Sequence, residues 1–229
     1  MGQGQSRSEA GKIPSSLKLS YFDLGGRGGR GEPSRLALVL SNIEFEDYRF
    51  SYVEWQSIKP TTPYGAVPTL TIDGKQVAQS CAILRYVGKL GGLYPSDPYE
   101  ALFVDEIIET MNDLNVATYS YLGPDVERIK EQRKELVEMH LPRFIGGLEK
   151  RLAEFGDGPF AVNGKLSVAD LVVTCVVNSY LSGVYDYVPL DILEKYPKVL
   201  AIHKAVMELP KVVEWYEKHP IEMKTPKME

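Results

Sequence analysis

Between Leu19 and Leu38 the chain reads LSYFDLGGRGGRGEPSRLAL: a tyrosine inside a short apolar run, two arginines set among glycines, then an apolar-periodic segment. The Tyr21 hydroxyl both donates and accepts, and Arg27 and Arg30 only donate, so the junction carries donors suited to an anion. Plainer uses exist, because a tyrosine at a strand edge packs and glycines after a strand make a turn. Gly26, Gly28 and Gly31 also fit G-x-G-x-x-G, but glycine-rich loops meet that spacing by chance, and a dinucleotide site is not the reading adopted. Further along, Trp55 and Lys59 lie four apart and both donate without accepting. Gln79 and Ser80 stand where a helix should begin, and there unpaired N–H groups and the positive dipole end favour an anion.

Composition bounds what such an anion is. The 229 residues carry a net charge of -5, so no basic excess is available to neutralise phosphates and nucleic acid is not expected as a partner. An anionic ligand must then be held locally. Cys81 and Cys175 are far apart and form no C-x-x-C or metal-ligand pattern, which argues against a disulfide scaffold, a structural metal and a dithiol redox centre. With 44% hydrophobic and 25% charged residues the composition is that of a globular protein. No apolar run is long enough to span a membrane, and a cytoplasmic setting is expected.

The elements that must position these donors follow from periodicity. Residues 1–16 are polar and read as a flexible tail. Leu17 to Phe22 reads as a strand, and Glu32 to Asn42 as a helix with Pro33 in its first turn. Phe45 to Phe50 is a second strand, and Tyr52 to Pro63 a loop with Pro60 and Pro63. Val67 to Ile72 and Gln76 to Ala78 flank Asp73-Gly74, the strongest hairpin signal in the chain. Ser80 opens a helix that Gly91-Gly92 should stop. Leu93 to Pro98 is a proline-bearing linker, dividing residues 17–92 from residues 99–229. Beyond it Tyr99–Leu122, Asp125–Phe155, Ser167–Ser182, Ile192–Glu208 and Lys211–Lys218 all read as helices. Ser167 and Asp170 resemble a capping box ahead of the apolar LVVTCVV, a core spine rather than a catalytic element.

An α/β half followed by an all-α half, with a tyrosine at the first strand end, resembles a cytosolic glutathione transferase. The resemblance spans nearly all of Leu17 to Pro220. It rests on LSYF, R-G-E-P-S-R, EWQSIKP, PYGAVPTLTIDG, QS-x-x-I-L-R-Y and SVADL in the expected order, and it is nearest the sigma group, which activates its nucleophile with such a tyrosine. The resemblance implies a thioredoxin-like N-terminal domain that binds glutathione, an all-helical C-terminal domain carrying the electrophile pocket, and glutathione as co-substrate without a metal.

A free thiol with pKa about 8.5 is mostly protonated at neutral pH and a poor nucleophile. Tyr21 would donate to the glutathione sulfur, and a hydrogen bond to the charged form favours that form. The family counterparts of Trp55 and Lys59 bind the glycyl carboxylate; otherwise Trp55 plugs the groove between the domains and Lys59 is a solvated surface cation. A cis Val67–Pro68 peptide would turn the Val67 backbone toward the cysteinyl unit, while Ala66 replaces a frequent family glutamine. Gln79 and Ser80 should take the γ-glutamyl carboxylate, unless Ser80 serves only as a helix cap. Asp113 matches the acid that reaches across a homodimer interface to the glutamyl ammonium, or else is an ordinary surface acid. The family arginine falls on Arg27 counted from Tyr21 and on Arg30 counted back from Glu32-Pro33-Ser34-Arg35, because the loop is three residues longer than usual. Arg30 is favoured, since the helix start fixes geometry better than an elongated loop.

Phe22, Asp23, Tyr119 and Tyr121 are the expected pocket residues for a small hydrophobic electrophile. The same thiolate would serve a glutathione-dependent isomerase of lipid endoperoxides, and a non-catalytic homologue is the third reading, disfavoured by the presence of Tyr21, Trp55, Lys59, Gln79 and Ser80 together. Met1 to Ser6 also fits the N-myristoylation pattern at Gly2. A single acyl chain binds membranes at only on the order of 10⁴ M⁻¹, so such a protein would visit membranes reversibly.

Overall fold

The computed structural model describes residues 13–121, 123–154 and 158–228. The tail expected over residues 1–16, with its acylation pattern at Gly2, lies outside the described residues as far as residue 12. Its last two residues are pinned rather than free. The Ser15 hydroxyl (2.6 Å) and the Ser16 amide (2.9 Å) donate to the Asp73 carboxylate, fastening the chain to the hairpin before the first strand starts.

Four strands form one sheet in the order β2-β1-β3-β4: β1 (Leu17–Phe22), β2 (Glu46–Phe50), β3 (Thr69–Ile72) and β4 (Lys75–Ala78). β1 pairs parallel with β2 through the crossover helix α1 (Glu32–Leu40), and antiparallel with β3, which forms a hairpin with β4. Asp73 and Gly74 both sit at positive φ, as the tight turn between two-residue-linked strands demands. The strand expected from Val67 starts instead at Thr69. The Val67–Pro68 peptide is cis, and Pro68 has no N–H to give to a ladder.

The segment expected as a loop after β2 contains a short helix, α2 (Trp55–Ile58), running into a turn over Lys59–Thr61. α3 (Ser80–Gly91) ends on Gly92 at φ 70°, the left-handed stop that a glycine supplies. Then come α4 (Pro98–Thr118), α5 (Val126–Glu135), α6 (Leu141–Leu152), α7 (Val168–Leu181), α8 (Pro197–Met207) and α9 (Pro210–Lys218). The helix expected from Asp125 is interrupted by one widened turn, Leu136–His140. Pro142 lacks the N–H that would have bonded one turn back, and the wider turn absorbs the mismatch. α8 starts at Pro197 rather than Ile192, with proline in the first turn setting its origin.

α7 is buried on nearly every side, and its capping box forms as the spacing implied. The Asp170 carboxylate accepts from the Ser167 amide (2.8 Å), the Ser167 hydroxyl (3.0 Å) and the Ala161 amide (2.7 Å). α1 packs against α3 on one side and against α7 and α9 on the other, so the α/β half and the helical half share one core.

Candidate active site

The glycines after β1 are there because backbone must lie against other groups. A Cβ on Gly29 would stand 2.8 Å from the Tyr21 ring and 2.9 Å from its hydroxyl, and Gly29 also has φ +53°. A Cβ on Gly26 would stand 2.1 Å from the His219 carbonyl oxygen, where the chain leaving α9 crosses the loop. The loop is therefore pressed onto Tyr21 from one side and clamped by the C-terminal segment from the other.

Tyr21 is buried at the end of β1, with its hydroxyl bordering a cleft of about 590 Å³ between the two halves. Burial raises its pKa, which the Arg30 backbone N–H facing its oxygen partly offsets. A raised value keeps the phenol protonated at neutral pH. A protonated phenol can accept through its oxygen and still donate its proton.

α4 lines one wall with Ile108, Asn112, Asn115 and Val116 at helical spacing, followed by Tyr119; α7 lines the facing wall with Val172, Cys175, Val176 and Ser179. One wall is thus largely amide and hydroxyl, the other largely apolar. The Tyr119 hydroxyl is held at 2.7 Å by that of Tyr185, whose ring lies under the Arg133 guanidinium.

Of the residues singled out from sequence, Tyr21, Arg30, Ser80, Phe22 and Tyr119 line the cleft. Arg27 does not; its Nε is buried without a hydrogen-bond partner. Asp23 and Tyr121 do not line it either. Asp23 is spent on the Gly25 amide and on Arg49, and the Tyr121 hydroxyl accepts from the Asp125 amide at the start of α5. Trp55 is wedged against Phe50 and Phe22, with Phe22 a cleft residue. Lys59 folds over the Gly65 backbone, and neither its ammonium nor the Trp55 indole N–H has a polar partner among the described residues. The last ladder pair is Thr69 with Ala78, so the cis Val67–Pro68 peptide and Gln79 lie at the same end of the β3–β4 hairpin. Gln79 is held at φ 77°, ψ 105°, a costly backbone for a non-glycine residue. That conformation starts α3 abruptly and leaves its first N–H groups uncovered. Asp113 is exposed on α4 and makes no hydrogen bond or ion pair among the described residues.

Two groups were missed from sequence. Asn112, beside Asp113, accepts from the Arg30 guanidinium at 2.9 Å. Glu32 and Arg35, present in the R-G-E-P-S-R string only as a resemblance, form a fully buried pair at 3.1 Å. Arg35 also reaches Asp47 at 2.7 Å, and Glu32 accepts from the Trp215 indole of α9 at 2.7 Å. Burial pushes the Glu32 carboxyl up, against the pull of Arg35 and Trp215. Their i, i+3 spacing marked a helical pair, but nothing local marked it as buried.

The chain matches the family model "Glutathione S-transferase, N-terminal domain" over residues 19–89 and "Glutathione S-transferase, C-terminal domain" over residues 112–219. It is 36% identical over 218 residues to glutathione S-transferase S1 of Drosophila melanogaster, covering 91% of this chain and 81% of that one. It is 32% identical to hematopoietic prostaglandin D synthase of Gallus gallus, covering 90% and 97%. The solved structure of prostaglandin synthase D of Nilaparvata lugens superposes with a TM-score of 0.80 at 35% identity, covering 90% of this chain and 99% of that chain. A four-stranded α/β half with a strand-end tyrosine, an all-helical half and these likenesses over both together place the chain in the glutathione S-transferase family.

Proposed function

We propose that the protein is a glutathione transferase that adds the glutathione thiolate to small hydrophobic electrophiles held in the cleft. The observation that carries this reading is Tyr21, buried at the cleft with its phenol pKa raised by burial, beside Arg30, which lines the same cleft. The donors around it match the tripeptide's charges. The α3 start at Gln79 and Ser80 takes the γ-glutamyl carboxylate, Trp55 and Lys59 take the glycyl carboxylate, and the Val67–Pro68 backbone takes the cysteinyl unit. In the reaction the thiol loses its proton to solvent water, and the thiolate is held by the Tyr21 O–H and by the Arg30 charge. The sulfur then forms a bond to the electrophilic carbon, whose displaced electron pair leaves with the departing group or passes into a conjugated acceptor. Phe22 and Tyr119 contact the electrophile between the α4 and α7 walls.

We further propose a homodimer, in which the exposed Asp113 meets the glutamyl ammonium in the partner's site, and a cytoplasmic protein. Among the described residues no helix is long and apolar enough to cross a membrane. A second reading, isomerisation of a lipid endoperoxide, is favoured by the polar face that Asn112, Asn115 and Tyr119 present, which suits a substrate bearing several oxygens. The test is turnover of 1-chloro-2,4-dinitrobenzene with glutathione, run beside glutathione-dependent isomerisation of a prostaglandin-type endoperoxide. Conjugation is expected; no glutathione-dependent change in either substrate would refute the assignment.

A further inference from the structure

Four of the nine described arginines are neutralised by carboxylates. Arg35 meets Glu32 and Asp47, Arg49 meets Asp47, Arg85 meets Asp105 and Glu109, and Arg151 meets Glu106 and Glu154. Arg30 is different. Its guanidinium forms no ion pair among the described residues, and the partner that fixes it is the side-chain amide oxygen of Asn112 at 2.9 Å, part-buried across the interface between the halves. Arginine cannot accept, so the amide oxygen must face it. Both residues line the cleft beside Tyr21.

We propose, resting on the glutathione reading above, that Asn112 is a positioning residue that anchors the Arg30 guanidinium through a neutral acceptor, so that its whole positive charge faces the glutathione sulfur. A carboxylate in the same place would hold the arginine equally well and cancel it. An ion pair seen from a few ångströms away is a dipole, whereas a cation hydrogen-bonded to an amide is still a cation. The same charge bears on two cleft groups: at Cys81 burial and Glu109 raise the thiol against Ser80, Arg85 and, least, Arg30, and at Tyr21 Arg30 again acts against burial.

The other titratable groups facing this point do not supply the same field. Tyr21 from β1, Tyr52 from the loop after β2, Cys81 from α3, Tyr119 beyond α4 and Cys175 from α7 line the cleft. All five are neutral when protonated. Among the nearby carboxylates, Glu109 is engaged by Arg85, and Glu32 by Arg35 and Trp215. Asp113 is exposed on the next position of α4, and Asp23 lies toward Arg49. Arg27, on the same loop, does not line the cleft.

The decisive variant is Asn112→Asp, which keeps the acceptor and the shape and adds one negative charge. The readout is the ultraviolet absorbance of the thiolate when glutathione is added to the full-length protein, followed between about pH 5 and pH 9, the range in which a perturbed thiol titrates. An added charge at this distance is expected to raise the midpoint by about one unit. kcat/KM with 1-chloro-2,4-dinitrobenzene should fall about tenfold below the wild-type midpoint and recover above the shifted one. Asn112→Ala, which removes the anchor and adds no charge, should move the midpoint much less. A titration of Asn112→Asp that overlaid the wild type, or an equal shift in both variants, would overturn the proposal. A wild-type protein with no thiolate signal at any pH would instead refute the glutathione reading on which it rests.

Discussion

Removing one hydroxyl should separate catalysis from binding. In Tyr21→Phe the ring still packs under Gly29 and Gly31, so the loop keeps its seat, but the cleft loses its O–H donor and the Arg30 amide loses an acceptor. A hydrogen bond to a charged group contributes about 1.5–3 kcal/mol, which corresponds to about 10- to 100-fold in the thiolate population at neutral pH. The Arg30 charge remains, so the loss in kcat/KM should stop near 10²-fold, in line with single-donor deletions at oxyanion sites. The sign with pH follows. In the proposed reaction Tyr21 stabilises the charged sulfur, so its loss should raise the thiol midpoint by about one to two units, and the deficit should shrink as pH rises through the new midpoint. With the two carboxylates of glutathione held elsewhere, as proposed, its Kd by calorimetry at mildly acidic pH should change little. The orphaned Arg30 amide should lower stability by about 1 kcal/mol, a loss that leaves the protein folded during the assay. A deficit that stayed constant across the pH range, or that appeared wholly in the Kd, would refute the reasoning.

Gly29→Ala and Gly74→Ala both place a side chain at positive φ, but only the former drives a Cβ into Tyr21, whereas Gly74 has nothing within 4 Å. Gly74→Ala should therefore lose about 1 kcal/mol of stability in urea titration from the strained backbone, Gly29→Ala should lose more because of the clash, and only Gly29→Ala should lose turnover. Burial pushes the Asp170 carboxyl up to about 6 from an ordinary 3.8, so the stability it contributes is complete below the lower value and is lost as pH rises through the upper one. Urea midpoints measured from about pH 4 to pH 7.5 should carry a falling component of up to about 3 kcal/mol that Asp170→Asn flattens; an unchanged slope would exclude Asp170 as its source. If the protein is a homodimer whose Asp113 completes the partner's site, Asp113→Asn should weaken glutathione binding without altering sedimentation. A fully active wild-type species sedimenting at the 25.6 kDa of one chain would rule the arrangement out.

What the sequence determined by itself is what is local. Asp73-Gly74 dictates a hairpin because two adjacent residues must take positive φ. Gly91-Gly92 stops α3 for the same kind of reason, and Ser167 with Asp170 caps α7 because each satisfies amides within three residues of itself. The end of β1 at Tyr21 and the run of glycines after it were also legible, and with the ordered motifs they made the family resemblance specific. The widened turn before α6 and the late start of α8 were not, because helical periodicity reports which residues face the core and is nearly blind to where a proline sets the register. Counting back from the start of α1 already favoured Arg30 over Arg27 at the cleft. Tertiary structure alone decided what fixes Arg30 there: Asn112, whose amide comes from the other half of the chain, eighty-two residues further on. Glu32 likewise became a buried charge only because Trp215 arrives from α9 to meet it. Spacing along the chain specifies the groups that satisfy each other within a turn; a charge held across two packed halves depends on which faces meet, and that is settled only when the core closes.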